Sequence, residues 1–480
     1  ELASIMGITV KESTTQNGAV TINLTSGESL VLENGAFNLF ELNTNADLTF
    51  KQLKLETNFG SQTKADASIR IVEDDLGGAL GGLFGYRNEI LGPAMRDVGQ
   101  LSVAFADAMN TQNKLGMDLD GQLGSNIFDI PSFRGLAYSD TNGDYVVTAQ
   151  ITEGKGAELT DADYKIEVTA VTAGVPSQIE ITLLNADGTP KKDASGNDII
   201  YSNYAVTAGF NELPGGIEVD FSGTDPYTVG NEFLIQPTKD IASKITLETN
   251  RPEDLAFASP VRAGANNTNL GSANVIDVTV SNTEVGASAF DGAGGLLNSA
   301  PAQINFTAAD TYDVVDGSGN VLATVTGTTD LTNLISQAGI SPDPGFDLSL
   351  DGVPKAGDSF SISYNTDGFN DNSNALNLAA IQNENTVQVS SEATNTPRTF
   401  QDAYASMVGR IGEDASMAKV TLASAEAMKV QSQNWFESVS GVSLDEEAAN
   451  LIKYQQSYAA AARILSTAQE LFNTILQSAR

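Results

Sequence analysis

The last stretch of the chain, residues 443–479, limits what this protein can fold into more than any other feature. Apolar residues recur there at alternating steps of three and four, which predicts one helix about 50 Å long at roughly 1.5 Å per residue. A lone helix cannot bury such a stripe, so it needs another helix as a partner; the alternative is an ordinary core helix of its own domain. No residue of the stripe is charged, and it consists of Leu451, Tyr454, Tyr458, Ala461, Leu465, Ala468, Phe472 and Ile475.

A second long helix is predicted to start near Thr399 and to carry its own heptad stripe. Alanine dominates this stripe, so a partner helix can approach it closely. Residues 432–442 interrupt the pattern and are expected to separate the two helices. Ser443 and Glu446 have the spacing of a capping box, which predicts the start of the terminal helix. The second stripe consists of Tyr404, Val408, Ile411, Ala415, Ala418, Leu422 and Ala425.

Histidine and cysteine are both absent from the 480 residues, and this excludes most enzymatic chemistry. The chain can have no Ser-His-Asp or Cys-His nucleophile, no His-ligated zinc and no disulfide, so a carboxylate-pair hydrolase is what remains. The 61 acidic residues against 25 basic ones give a net charge of −36, which repels nucleic acid and anionic membranes. No apolar run approaches the roughly 18 residues of a membrane span. We therefore expect no cofactor, no metal, no nucleic-acid partner and no membrane span.

The N-terminal part begins with short elements. Leu2, Ile5 and Met6 resemble the end of a helix already under way, so a further segment is expected to precede Glu1. Period-two alternation then predicts antiparallel strands joined by tight turns at Asn17-Gly18 and Ser26-Gly27. The predicted strands are residues 8–10, 19–24 and 29–32.

A long helix is predicted over about residues 84–113. The glycine-rich residues 76–85 before it indicate close backbone packing; a phosphate-binding loop is the alternative, but no Gly-Lys-Ser/Thr follows. Pro93 is expected to kink the helix or to mark a later start. Residues 116–121 resemble the opening of a calcium loop, but the later acidic ligands are missing and a polar turn is expected. The predicted apolar face consists of Leu91, Met95, Val98, Leu101 or Ser102, Phe105 and Ala108.

Two stretches rich in Thr, Val and Ile, about 136–245 and 268–365, predict two antiparallel β modules. An internal repeat relates them. Paired carboxylates such as Asp161 and Asp163 are expected to be solvated turn residues rather than a catalytic pair. Turns are predicted at Asn142-Gly143, Asp187-Gly188 and Ser195-Gly196. The matching segments are 159–164 with 306–312, 216–223 with 345–352, and Gly230-x-x-Phe233 with Gly357-x-x-Phe360.

These elements predict an α+β multidomain chain, in which a terminal α-helical, coiled-coil stalk carries two inserted antiparallel β modules. Short helices are expected at 252–258 and 374–381. The predicted domains are an axial core with β-hairpins and a long helix (1–128), a β domain (129–262), a second β module (263–369), the C-terminal helices of the core (370–432) and a terminal coiled-coil helix (433–480).

The C-terminal residues carry a resemblance to a known family. Residues 440–451, followed by 454–458, are similar to the C-terminal signature of flagellar axial proteins, and most of all to the flagellar hook-associated protein 1 family. Residues 77–80 and 400–408 are similar to further segments of that family. The resemblance covers most of 1–128 and 370–480 and is looser over 136–260, whereas 268–365 looks like a lineage-specific insertion. The family's N-terminal helices have no counterpart here, and Asn113 stands where members often carry His.

The resemblance implies a non-enzymatic, structural role at the first hook–filament junction. Such proteins are secreted through the flagellar type III export channel and lie in the extracellular flagellum. The implied partners are copies of the chain itself in a ring, the hook protein, the second hook–filament junction protein and a flagellar export chaperone. The residues expected at the assembly or chaperone interface are Leu444, Leu451, Tyr454, Tyr458, Leu465, Phe472 and Ile475.

The β repeats leave a second hypothesis open. In it the protein is a surface adhesin or glycan-binding module, the terminal helices serve only as a stalk, and residues 136–365 bind the ligand.

Overall fold

The computed structural model describes residues 2–12, 18–43, 52–56, 68–71, 73–138, 147–223, 226–388, 397–440 and 444–478. They form two compact units, Glu1–Val408 and Gly409–Arg480. Helices and antiparallel sheets both occur, two β modules lie within the first unit, and long helices end the chain. The predicted α+β class is therefore confirmed.

The N-terminal strands form as predicted. The first sheet has the order β1-β2-β3, and a second three-stranded sheet, β4-β5-β6, follows it. The Ser26-Gly27 turn is present, with Gly27 at φ +110°, whereas Asn17 of the other predicted turn lies outside the described residues. The elements are α1 (Leu2–Ile5), β1 (Ile8–Glu12), β2 (Val20–Leu24), β3 (Ser29–Val31), β4 (Leu39–Asn43), β5 (Gln52–Glu56) and β6 (Ser68–Arg70).

The long helix starts six residues earlier than predicted. It runs as α2 (Gly78–Gly85), a π-helical turn (Tyr86–Leu91) and α3 (Gly92–Lys114). The glycine-rich stretch thus forms its first turns, and a Cβ at Gly78 would lie 2.7 Å from the backbone of Ile5, which confirms close packing. Pro93 lies in the first turn of α3, directly after the π-helical turn.

The predicted buried face of this helix was wrong. Leu91, Val98 and Phe105 are exposed, and α3 instead buries a polar face. The reason is what the helix packs against: loops and strand ends, whose backbone groups need hydrogen-bond partners. Gln100 donates to the carbonyls of Leu159 and Gln388, and Asp107 accepts from the amides of Gly154 and Gly156. The polar residues buried on α3 are Arg96, Gln100, Asp107, Asn110 and Asn113.

Gly99 permits the closest approach between α3 and the first module. A Cβ at this position would lie 1.8 Å from the carbonyl oxygen of Thr238. We expect Gly99→Ala to lower the free energy of unfolding of the first unit by about 3 kcal/mol, because the added Cβ would force the backbone of α3 or of Thr238 to move. Gly82→Ala, in the same helix with nothing within 4 Å of its Cβ, is the control and should stabilise by up to about 1 kcal/mol. Urea unfolding followed by far-UV circular dichroism measures both; equal effects would contradict this explanation.

The first β module is one antiparallel sheet of eight strands, in the order β12-β11-β10-β15-β8-β9-β14-β13. Its core includes Tyr164, Ile166, Phe221 and Phe233, all nearly inaccessible. The turns at Gly188 and Gly196 form with positive φ, while Asn142-Gly143 lies outside the described residues. The strands are β7 (Phe128–Asp129), β8 (Phe133–Ala137), β9 (Val147–Ile151), β10 (Asp163–Thr172), β11 (Val175–Leu184), β12 (Ile200–Ala205), β13 (Phe210–Leu213), β14 (Ile217–Asp220), β15 (Glu232–Ile235) and β16 (Thr246–Leu247), which pairs with β7.

The second β module has a five-stranded sheet, β17-β23-β19-β20-β21, and a separate pair, β18-β22. The predicted helix at 252–258 before it is only a three-residue 3-10 turn, Pro252–Asp254. The elements are β17 (Val261–Ala265), β18 (Asn274–Val280), β19 (Pro301–Ala308), β20 (Thr311–Asp316), β21 (Val321–Thr326), α4 (Leu334–Gln337), β22 (Phe346–Asp351) and β23 (Ser359–Tyr364).

The two modules share one topology. The order β12-β11-β10-β15-β8 in the first matches β21-β20-β19-β23-β17 in the second, and β9-β14 matches β18-β22. The register also agrees, because Ile166 pairs with Phe233 as Ile304 pairs with Phe360. The predicted repeats at 216–223 with 345–352 and at the two Gly-x-x-Phe segments therefore lie on equivalent strands.

The third predicted match, 159–164 with 306–312, joins strands that are not equivalent. It aligns the start of β10 with the start of β20, whereas the topology pairs β10 with β19. The structural register instead aligns residues 162–170 with 300–308, which share Ala, Ile, Thr and Ala at four positions. The predicted match is wrong because a buried tyrosine, Tyr164 or Tyr312, follows the first residue of both β10 and β20, although the two strands are not equivalent.

A shared D-x-S-G-N turn supports the corrected alignment. It joins β11 to β12 at 193–197 and β20 to β21 at 316–320. Asp316 Oδ1 accepts from the amides of Ser318 at 2.9 Å and Asn320 at 2.8 Å, and Asp193 Oδ1 accepts from two amides in the same way. Hydrogen bonds from Asn320 lower the pKa of Asp316, and the amide of Asn197 lowers that of Asp193.

These turns predict a defined pH dependence. Because the folded pKa is depressed, the stability each turn contributes is present above the ordinary Asp value of 3.8 and is lost as pH falls through the lowered folded pKa. Carboxyl NMR titration should place the pKa values of Asp193 and Asp316 below the ordinary aspartate value of 3.8. Values of 3.8 or above for both residues would contradict this.

The remaining helices are α5 (Ser373–Ala380), α6 (Phe400–Ser440) and α7 (Leu444–Ser478). The predicted helix at 374–381 and the predicted start near Thr399 are confirmed. The predicted separation over 432–442 was too long, because α6 continues to Ser440. The last residues of α6 lack the heptad pattern but keep helix-forming side chains. The apolar periodicity therefore ends before the helix ends.

Candidate assembly surface

All seven residues predicted at the interface lie on α7 and are exposed. Their exposed fractions range from 60% for Leu451 to 85% for Leu444, and no described residue of α7 is buried. The heptad spacing places six of them, from Leu451 to Ile475, along one side of a helix about 50 Å long. Ser443 of the predicted capping box lies outside the described residues; the acidic residues 445–447 in the first turn favour the helix by opposing its dipole.

The apolar surface of α7 is wider than the predicted stripe. Ile464 and Leu471 border it on one side and Leu476 on the other, with exposed fractions of 72%, 60% and 53%. A stripe of two positions per heptad suits a two-stranded coiled coil, whereas a third position suits a helix packed against two neighbours in a bundle. These three residues were not predicted, because they lie beside the main heptad stripe, although Ile464 and Leu471 are themselves seven residues apart.

Helix α6 carries a second exposed apolar surface. Tyr404, Val408 and Leu422 of its predicted stripe are 57%, 48% and 59% exposed. Near its end a further group was not predicted: Trp435, Phe436 and Val439 are 80%, 72% and 84% exposed. Large apolar side chains exposed at this density mark surfaces that are buried in an assembly.

A third apolar strip lies on α3. Leu91, Val98 and Phe105, predicted to be core, are 37%, 42% and 42% exposed. The Phe105 ring packs edge-on against Phe128 and Phe400, at centroid distances of 5.8 and 5.7 Å. This strip therefore has a partner at its C-terminal end and is open towards its N-terminal end.

The carboxylates singled out in the sequence do not form a catalytic pair. Asp161 pairs with Lys191 at 2.8 Å. Asp163 was predicted to be solvated but is buried. Its carboxylate accepts hydrogen bonds from Arg96 Nε at 3.0 Å and from Arg96 Nη2. In the loop 116–121, Asp118 Oδ1 accepts the amides of Asp120 and Gln122, which confirms the polar turn.

The described residues show neither a metal site built from acidic side chains nor a membrane-spanning helix. No cluster of three or more acidic residues has the arrangement of a metal site. None of the described helices is long and apolar enough to cross a membrane.

Comparison with known proteins gives two family matches. Residues 1–128 match the flagellar hook-associated protein FlgK helical domain, and residues 435–478 match the flagellar basal body rod FlgEFG protein C-terminal family. The second match contains α7 and the end of α6, including Trp435. The exposed apolar surface of α7 therefore lies within the segment that matches the flagellar basal body rod FlgEFG protein C-terminal family.

Similarity to single proteins extends over the whole chain. Flagellar hook-associated protein 1 of Salmonella typhimurium is 27% identical over 480 residues, covering 99% of this chain and 62% of that protein. The Escherichia coli K12 protein of the same name is 24% identical with the same coverage, and that of Bacillus subtilis is 32% identical over 111 residues. The chain thus spans about three fifths of the first two relatives. None of these names supports the adhesin alternative.

A solved structure shares the fold. The flagellar hook junction protein FlgK from Burkholderia pseudomallei is 24% identical, with a TM-score of 0.68 over 92% of this chain and 76% of that one.

Proposed function

The chain belongs to the flagellar hook-associated protein 1 family, and from this premise we propose that it is a structural junction protein of the bacterial flagellum, linking hook to filament through its terminal helices. One observation carries the proposal: an uncharged apolar surface, wide enough for two neighbouring helices, runs exposed along α7 in the segment related to axial proteins. A helix with that surface is stable only in an assembly.

The proposed partners follow from this role. Copies of the chain would bury α7 and α6 against each other in a ring, with the hook protein on one side and the second junction protein on the other. A flagellar export chaperone would cover the same apolar surface before secretion. The protein would then act outside the cell and without catalysis, as a static connector.

Deletion and complementation in the source bacterium test the role. Cells without the protein should keep hooks but lose attached filaments, and the full-length protein should restore them. Normal filaments in the deletion strain would contradict the proposal.

A further inference from the structure

The first β module has a cleft whose charge is opposite to that of the chain as a whole. Residues 131–136 and 236–244 enclose a cavity of about 320 Å³ with Phe133, Leu136 and Ile241 among its walls. Its charged residues are Arg134, Lys239 and Lys244 against Asp240 alone, although the chain holds 61 acidic and only 25 basic residues. We call this the basic cleft.

Two of the cations of the basic cleft, Arg134 and Lys244, are exposed to solvent. Arg134 and Lys244 form no ion pair with any described residue, whereas the lysines at 155, 165, 191 and 192 of the same module each do. Unpaired cations beside apolar walls are what an acidic, apolar partner surface would complement.

A surface of that kind lies where the loop after α3 and residues 255–258 meet residues 366–375, which follow β23. Leu119, Phe257 and Phe369, which are 51%, 44% and 73% exposed, surround another cavity of about 320 Å³. The charged residues lining it are Asp118, Asp120 and Asp371. Exposed Arg251 pairs with Asp120 at 2.8 Å, so the lining keeps an excess of negative charge. Asp367, two residues before Phe369, is exposed as well. We call this the acidic patch.

The two surfaces can be used at the same time. Gly99 of α3 contacts the carbonyl of Thr238 beside the basic cleft, and Met117, three residues beyond the end of α3, lines the acidic patch. The helix between Gly99 and Lys114 spans about 22 Å. One copy can therefore offer its cleft to one neighbour and its patch to another.

We propose that the basic cleft of one copy binds the acidic patch of a second copy, with the Phe369 ring entering the cleft and Asp367 facing Arg134 and Lys244. The contact is heterologous, so repetition yields a ring or a helical array. This inference rests on the proposed junction role and adds to it a contact between copies that is separate from the terminal helices.

Charge reversal on each side tests the pairing in the full-length chain. Variant R134E/K244E reverses the two exposed cations of the cleft, and variant D367K/N370K places two lysines beside Phe369, where Asp367 is proposed to face the cleft. Each alone should self-associate about 30-fold more weakly than wild type in sedimentation velocity. Mixed in equal amounts they should associate again, because each reversed surface then meets its complement. Arg262→Glu, at the position of β17 equivalent to Arg134 of β8, is the control and should behave as wild type.

Cross-linking gives a second readout. The chain has no cysteine, so S132C/N370C, with one thiol at each surface, should oxidise to a ladder of covalent oligomers in isolated junctions. Failure of the mixture to re-associate, or absence of the ladder from junctions, overturns the inference. If those junctions form normally, the proposed function stands without it; if the protein is absent from junctions altogether, the proposed function itself fails.

Discussion

Replacing Leu465 with aspartate is expected to abolish assembly while leaving both β modules folded. The Leu465 side chain lies in the middle of the α7 stripe and is 66% exposed. The substitution should therefore change the stability of the free chain very little. In an assembly the change removes about 2 kcal/mol of apolar burial and places an unpaired carboxylate in an apolar contact, at a cost of several kcal/mol. Subunit affinity should fall roughly 1,000-fold or more.

Ser466→Asp is the matched control for this variant. It adds the same charge to the next residue of the same helix, off the apolar stripe. Cells that produce Leu465→Asp should lack attached filaments, while cells that produce Ser466→Asp should have them. Normal filaments with Leu465→Asp would remove the basis for placing the interface on this stripe.

Replacing Asp163 with alanine is expected to destabilise the first unit strongly. Arg96 and Asp163 are 2% and 3% exposed at their side chains and join α3 to β10, with Gln236 donating a further bond to the carboxylate at 2.8 Å. The substitution leaves the Arg96 guanidinium buried without its counter-ion. We expect a loss of about 3–5 kcal/mol in the free energy of unfolding.

The double variant R96M/D163L separates charge burial from packing. It removes both charges and retains volume, so its stability should lie within about 1–2 kcal/mol of wild type. Unfolding should be followed by far-UV circular dichroism, because the only tryptophan, Trp435, lies on α6 outside this unit. A double variant as unstable as Asp163→Ala would show that the ion pair is not the cause.

Local patterns predicted most of the strands and the terminal helices correctly. Alternation and glycine turns are short-range signals, and they identified β1 to β3, the turns at Gly188 and Gly196, and the helix start near Thr399. The buried face of α3 could not be predicted from such short-range patterns. Its neighbours are loops with unpaired backbone groups, so polar residues such as Gln100 and Asp107 are buried while Phe105 is partly exposed.

Only the part of the candidate site that lies within one segment could be predicted from the sequence. The heptad stripe of that segment places Leu451 to Ile475 on one side of α7. The basic cleft was not predicted, because its walls come from segments about 100 residues apart that only the sheet brings together. Arg134 and Lys244 have no local pattern that distinguishes them from other surface cations.

Hydrogen exchange of the α7 amides tests the central claim most directly. It should be measured in the free full-length chain and in assembled junctions, with the core strand β10 as an internal reference. If α7 is the assembly surface, its amides should exchange rapidly in the free chain and become as protected as β10 in the junction. Equal protection of residues 444–478 in both states would contradict the account.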